Sequence, residues 1–172
     1  MIYVVFVQPS KELKVRAELD RKGFEAYVPR RELLIHKSGL WTKIINIIFP
    51  GYVFVDMEYS PQKHIDIIHT DNVLRILGTP SPLSESESEI IRWLFNGGNV
   101  IEESAALIDS SGNCIGYEGF LKGYDDRVTY FNRRQKKATV EVKFGGRTHK
   151  ANLGIILKSA ENTKRVDTFP CF

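Results

Sequence analysis

The chain has 172 residues, 42% of them apolar and 26% charged, with a net charge of +3 and only two cysteines. Such values describe a globular protein of one domain or two small ones, and no apolar run approaches the length of a membrane span. The first residues lack the basic flank and small-residue cleavage site of a secretory signal, and Cys114 and Cys171 have neither metal spacing nor a disulfide framework, which together point to reduced thiols in a cytoplasm.

Tyr3 to Gln8 is apolar on both faces and predicts a central strand. Ser10 is the expected N-cap of a helix over Lys11 to Lys22, with Glu12 suited to its positive end and Gly23 closing it. Glu25 to Val28 and Leu33 to His36 are strand-like, Ser38-Gly39 is a turn, and Ile44 to Ile48 lead the chain back. The stretch Phe49-Pro50-Gly51-Tyr52-Val53-Phe54-Val55 then combines a forced bend with a short aromatic and β-branched strand. It places Phe49 and Tyr52 at a sheet end, where rings either fill the core or face a partner. Ser60-Pro61 opens a short helix with Ile65 and Ile68 on one face. Val73 to Leu77 is a further strand, and Pro80 and Pro82 break the chain. Ser84 and Glu87 form a capping box for a helix with Ile90, Ile91, Leu94 and Phe95 inward, stopped by Gly97-Gly98. Strands and helices in this order predict an α/β sandwich over residues 1–97.

Residues 98–112 have linker character and room for at most one short strand. From 113 to 160 the pattern is all β: Cys114 to Tyr117, Arg127 to Asn132, Ala138 to Phe144, Arg147 to Asn152 and Ile155 to Leu157, with Gly145-Gly146 as a hairpin turn. Strands this short suit a small closed barrel. The tail, 161–172, has no period and is expected to be mobile.

Charge is uneven. Between Tyr117 and Lys150 nine Lys and Arg face four Asp and Glu, a local excess of five that leaves the remainder at −2. A polyanion is therefore a candidate partner of the C-terminal third, against the alternative of a solvated basic surface. Arg133, Arg134, Lys136 and Lys137 crowd one connection between two strands, where their repulsion is unfavourable unless an anion lies nearby. With Lys122, Arg127 and the interleaved Tyr130 and Phe131, they form a surface suited to RNA phosphates and unpaired bases, or else a solubilising hairpin tip. Only one of Tyr130 and Phe131 can face outward on a strand.

Taken in order and spacing, Tyr3-Val4-Val5, Gly23-Phe24-Glu25-Ala26-Tyr27-Val28-Pro29, Phe49 to Val55, Val73 to Gly78 and Pro82-Leu83-Ser84 resemble the NusG family of transcription elongation factors. The resemblance runs to about Ala160, where Glu118 to Gly123 is similar to the glycine loop of a KOW domain, an SH3-like barrel. It implies an N-terminal α+β domain that grips the clamp helices of RNA polymerase through Phe49, Pro50 and Tyr52, with Tyr3 and Val5 on the adjacent strand. His69 and Thr70 fall where some members contact non-template DNA. The basic connection and glycine loop resemble the LoaP branch, antitermination factors whose KOW domain binds an RNA hairpin in an operon leader. Lys122, Arg127, Arg133, Arg134, Lys136 and Lys137 are its expected RNA contacts. The alternative is a general NusG-type factor whose barrel binds proteins instead.

The four histidines are scattered, without metal spacing or a nucleophile partner, and no phosphate loop stands in strand-loop-helix context. No enzymatic activity, metal or cofactor is expected. A ribosome-associated barrel protein is disfavoured by the Phe49 to Tyr52 unit and its attached domain. The expectation is thus a monomeric cytoplasmic regulator, away from membranes, that bridges polymerase and nascent RNA.

Overall fold

The structure, a computed structural model, describes residues 1–78 and 81–160. Pro80 and the expected mobile tail, Cys171 included, lie outside the described residues. The chain divides into two compact units. The first comprises Met1–Arg30, Ile45–Val100 and Glu141–Ala151; the second comprises Arg31–Ile44, Ile101–Val140 and the chain from Asn152 onward.

The first unit is a four-stranded sheet carrying three helices. Its strands β1 (Ile2–Val7), β2 (Glu25–Tyr27), β5 (Tyr52–Asp56) and β6 (Val73–Leu77) lie in the order β2-β5-β1-β6. Strand β1 is central, antiparallel to both neighbours, with Tyr3 opposite Val55, Val5 opposite Val53 and Phe6 opposite Tyr52. Side chains alternate across a pleat, so the odd residues Tyr3, Val5 and Val7 join Val53 and Val55 on one face. There they meet Val15 and Leu19 of helix α1 (Glu12–Arg21) and Ile67 of α2 (Pro61–Ile68).

Local chemistry sets most helix ends. Gly23, at φ +84°, closes α1 with its N–H on the Asp20 carbonyl while the Phe24 N–H reaches the Leu19 carbonyl. This pairing satisfies two orphan carbonyls at once. The Ser60 hydroxyl accepts from the Lys63 N–H before Pro61, and Ser84 with Glu87 closes a reciprocal cap on α3 (Glu85–Phe95). Two expectations need correction. Ser10 sits at φ +69° and does not cap α1, whose N-cap is Lys11. On α2 the buried residue is Ile67, whereas Ile65 and Ile68 are exposed, because so short a helix rests on the sheet along a narrow line.

Strands β3 (Arg30–Lys37) and β4 (Leu40–Ile47) pair as a separate two-stranded hairpin. Ser38 and Gly39, both at positive φ, supply its turn.

The remaining strands are β7 (Ser104–Ile108), β8 (Cys114–Glu118), β9 (Val128–Asn132), β10 (Lys137–Phe144) and β11 (Arg147–Ser159), in the order β8-β7-β11-β10-β9. Residues 98–112 therefore include β7, buried and flanked on both sides, antiparallel to β8 and parallel to β11. The two short strands expected over 147–157 are one long strand. Gly145 and Gly146, at φ +58° and +73°, make the turn between β10 and β11. The second unit's core gathers Ala106, Leu121, Ala138, Val140, Leu153 and Ile155. No helix among the described residues is long and apolar enough to cross a membrane.

Candidate functional site

The bend at Pro50-Gly51 is fixed from three directions. Gly51 adopts φ +85°, a conformation side chains disfavour, and its carbonyl accepts from the Val7 N–H at 2.9 Å. Its own N–H donates to Glu12 Oε1 at 2.7 Å, and Glu12 is only 2% exposed. The first turn of α1 thus holds the bend through a buried carboxylate. Glu12→Ala is expected to lower stability by about 1.5–3 kcal/mol by orphaning that N–H, as read from the denaturant midpoint. Glu12→Gln, which keeps an acceptor, should recover most of the loss.

Past the bend, rings cluster on the sheet face opposite α1. Phe54 lies 5.7 Å from Phe49 and 5.4 Å from Phe144 between ring centroids. Phe49 meets Phe144 edge-on at 5.4 Å, and Tyr52 meets Phe144 at 5.0 Å and Phe6 at 5.5 Å. His149 stacks on Phe144 at 3.6 Å with the planes 2° apart. Burial pushes the His149 imidazole below its ordinary value, against the pull of a hydrogen bond with the Phe144 backbone and helped by nearby Arg147. Beside the cluster, along edge strand β6, a cleft of about 700 Å³ is bordered by Arg75, Lys143 and Arg147.

This geometry revises the expected partner-facing set. Pro50 is exposed and Tyr52 half-buried, but Phe49 is 3% exposed and belongs to the interior. Tyr3 and Val5 are buried too, and they point to the helix-covered face, away from Phe49 and Tyr52. Strand parity decides this: Tyr52 and Phe54 share their face with Phe6 and Val4 across β1. Sequence reasoning missed Phe6, Phe54, Phe144 and His149. Parity along Tyr52–Phe54 could have found the second; the last two come from a hairpin remote in the chain.

Thr70 is likewise spent on structure. It is 4% exposed, accepts from Lys22 Nζ at 2.7 Å and donates to the Asp66 carbonyl at 2.9 Å. His69 is exposed at the C-terminal end of α2.

In the second unit the basic turn is shaped by Asn132, whose Oδ1 accepts from the Gln135 N–H at 2.8 Å, and by Lys136 at φ +51°. Arg133 and Arg134 are exposed, and Lys136 and Lys137 half-buried. Lys136 Nζ sits 4.4 Å from the centroid of Trp41 on β4. Tyr130 is the outward ring, 60% exposed, whereas Phe131 packs edge-on to Tyr117. Lys122 is exposed, and Arg127 lies over the Tyr124 ring at 5.3 Å. Arg127 stands at the opposite end of β9 from Arg133, roughly 20 Å away at the usual rise per residue, and Lys122 lies on the loop that precedes it. The expected cations therefore make two patches along one strand with Tyr130 between them.

Gly119, at φ +82°, brings the loop against Ser104, whose buried hydroxyl accepts from the Leu121 N–H at 3.1 Å. The glycine loop is thereby pinned to β7. Among the described residues no three His, Cys, Asp or Glu side chains gather as metal ligands.

Residues 2–92 match the family model described as "Transcription termination factor nusG". The chain is 26% identical over 148 residues to the transcription termination/antitermination protein NusG of Lactococcus lactis subsp. lactis, covering 81% of this chain and 78% of that protein. Its fold is similar to a solved structure of Thermotoga maritima NusG, with a TM-score of 0.53, 19% identity, and 89% and 92% of the two chains covered. The matched segment contains the whole sheet, the bend at Pro50-Gly51 and the carboxylate that holds it, and the chain belongs to the NusG family of transcription termination and antitermination factors.

Proposed function

We propose that this protein is a cytoplasmic antitermination factor of the LoaP type, which binds RNA polymerase through its N-terminal domain and a nascent RNA hairpin through a basic KOW barrel. The polymerase contact is assigned to Pro50 and Tyr52 at the fixed bend, facing the clamp helices. An apolar contact needs rigid rings presented by a stiff turn, and Glu12 and Gly51 provide that stiffness. Phe144 and His149 stand against the Tyr52 ring, so a polymerase helix would exchange with them for the same aromatic face. The RNA contact is assigned to the turn Arg133 to Lys137, with Lys122 and Arg127 as a second patch.

The observation that carries this reading is the segregation of chemistry. The aromatic face belongs to the first unit, and the crowded cations belong to the second. One factor with two such handles can tether an RNA element to a moving enzyme, and tethering raises its effective concentration. Tyr52→Ala is expected to abolish co-purification with RNA polymerase while a gel shift with leader RNA is unchanged. Equal loss of both would end the division of labour. A polymerase contact that persists in 0.5–1 M salt, roughly, would agree with its apolar nature.

A further inference from the structure

Trp41 is a large apolar ring at the surface of the β3–β4 hairpin, 45% exposed. The two-residue turn at Ser38-Gly39 sets it beside His36, with ring centroids 5.2 Å apart and planes tilted by 56°. Lys136 places its ammonium 4.4 Å from the same ring. Between the hairpin and the basic turn lies a hollow of about 440 Å³, bordered by Leu34, His36, Trp41, Arg134, Gln135 and Lys137. That volume falls within the roughly 300–1,000 Å³ of ordinary ligand clefts. Among the described residues no carboxylate borders the hollow.

We propose that this hollow is a base-stacking subsite for single-stranded RNA, with Trp41 as the platform and Arg134, Lys136 and Lys137 holding the flanking phosphates. The inference rests on the reading that the second unit captures RNA, and it adds a site on the β3–β4 hairpin to it. An aromatic plane next to several cations, with no carboxylate among the described residues around it, matches a ligand that is both flat and polyanionic. Duplexes do not meet that description, because their bases are already stacked on one another. Gln135 offers an amide that can both donate to and accept from a base edge. The cation over the ring strengthens the platform, since it fixes Trp41 and adds positive potential where a phosphate would lie.

The full chain with Trp93→Phe leaves Trp41 as its sole tryptophan reporter, since the sequence has two. Probes are an unstructured RNA of about 12 nucleotides, within the footprint of single-strand binders, the same strand as DNA, and the RNA annealed to its complement. Single-stranded RNA is expected to quench Trp41 fluorescence and protect it from acrylamide. By anisotropy of labelled RNA, Trp41→Ala should weaken binding about 5- to 150-fold, the loss of one stacked base, with Trp41→Phe restoring most of it. The salt slope should stay unchanged, because no cation is removed.

Tight RNA binding without quenching, and indifferent to Trp41→Ala, would overturn the subsite while leaving RNA capture intact. Absence of any RNA binding at low salt would overturn both. Equal quenching by the duplex would reduce the effect to charge proximity and reject stacking. Equal response to DNA would reject the RNA assignment. Quenching by oligoglutamate in place of RNA would give the hollow to an acidic protein segment.

Discussion

Replacing Phe49 with alanine is expected to destabilise the protein by about 3–5 kcal/mol, a large part of the margin of a small domain. The ring is 3% exposed and meets Phe54, Phe144 and His149 edge-on, so its removal leaves a cavity lined by stiff aromatics that cannot collapse into it. The loss should appear as a lower denaturant midpoint with an unchanged slope. A change below about 1 kcal/mol would contradict the buried placement of this ring, since exposed substitutions fall in that range. The same variant is a poor probe of polymerase binding, because any loss of affinity would be confounded with loss of fold. Tyr52→Ala separates the two effects. Its ring is only half-buried, so its removal tests the proposed partner contact at a smaller cost in stability.

Neutralising Arg133, Arg134, Lys136 and Lys137 together is expected to weaken RNA binding severely and flatten its salt dependence. Each phosphate contact to a single strand contributes about 0.7 to the slope of log K against log salt, so four lost contacts lower it by nearly 3. Binding should be titrated at several salt concentrations, with Lys122 and Arg127 left in place. A slope that does not move would take the turn off the RNA face and leave Arg127, at the other end of β9, and Lys122 as the candidates. Stability should fall only modestly. The substitution removes the Lys136 ammonium from the Trp41 ring, a contact worth about 0.5–1 kcal/mol at an exposed site.

Local chemistry was legible at most turns and helix ends. The turns at Ser38-Gly39 and Gly145-Gly146, the close of α1 at Gly23 and the caps at Ser60 and Ser84 are each decided within a few residues, by which side chains tolerate positive φ or reach a free N–H. The exceptions are instructive. Ser10 has the right chemistry for an N-cap but is held at φ +69°, between the end of β1 and a helix start anchored by Glu12 on Gly51. That carboxylate answers to a backbone group 39 residues away, which no local pattern announces.

Residue by residue, then, sequence alone determined most strands of the first unit, the tight turns, the family to which the chain belongs and the concentration of positive charge after Tyr117, because each depends on neighbours in the chain or on simple counting, whereas β7 and the unbroken length of β11 needed their sheet partners. Tertiary structure decided which rings are spent. Alternation says that Tyr3 and Val5 share a face, but only the docking of α1 and α2 makes that face the interior, and only a hairpin some 90 residues downstream covers Phe49. Trp41 followed the same rule: its surroundings are set by Lys136, remote in the chain, which lies over its ring, and by Arg134, which borders the same hollow. A side chain's chemistry is written locally, whereas its exposure is a property of everything that packs against it.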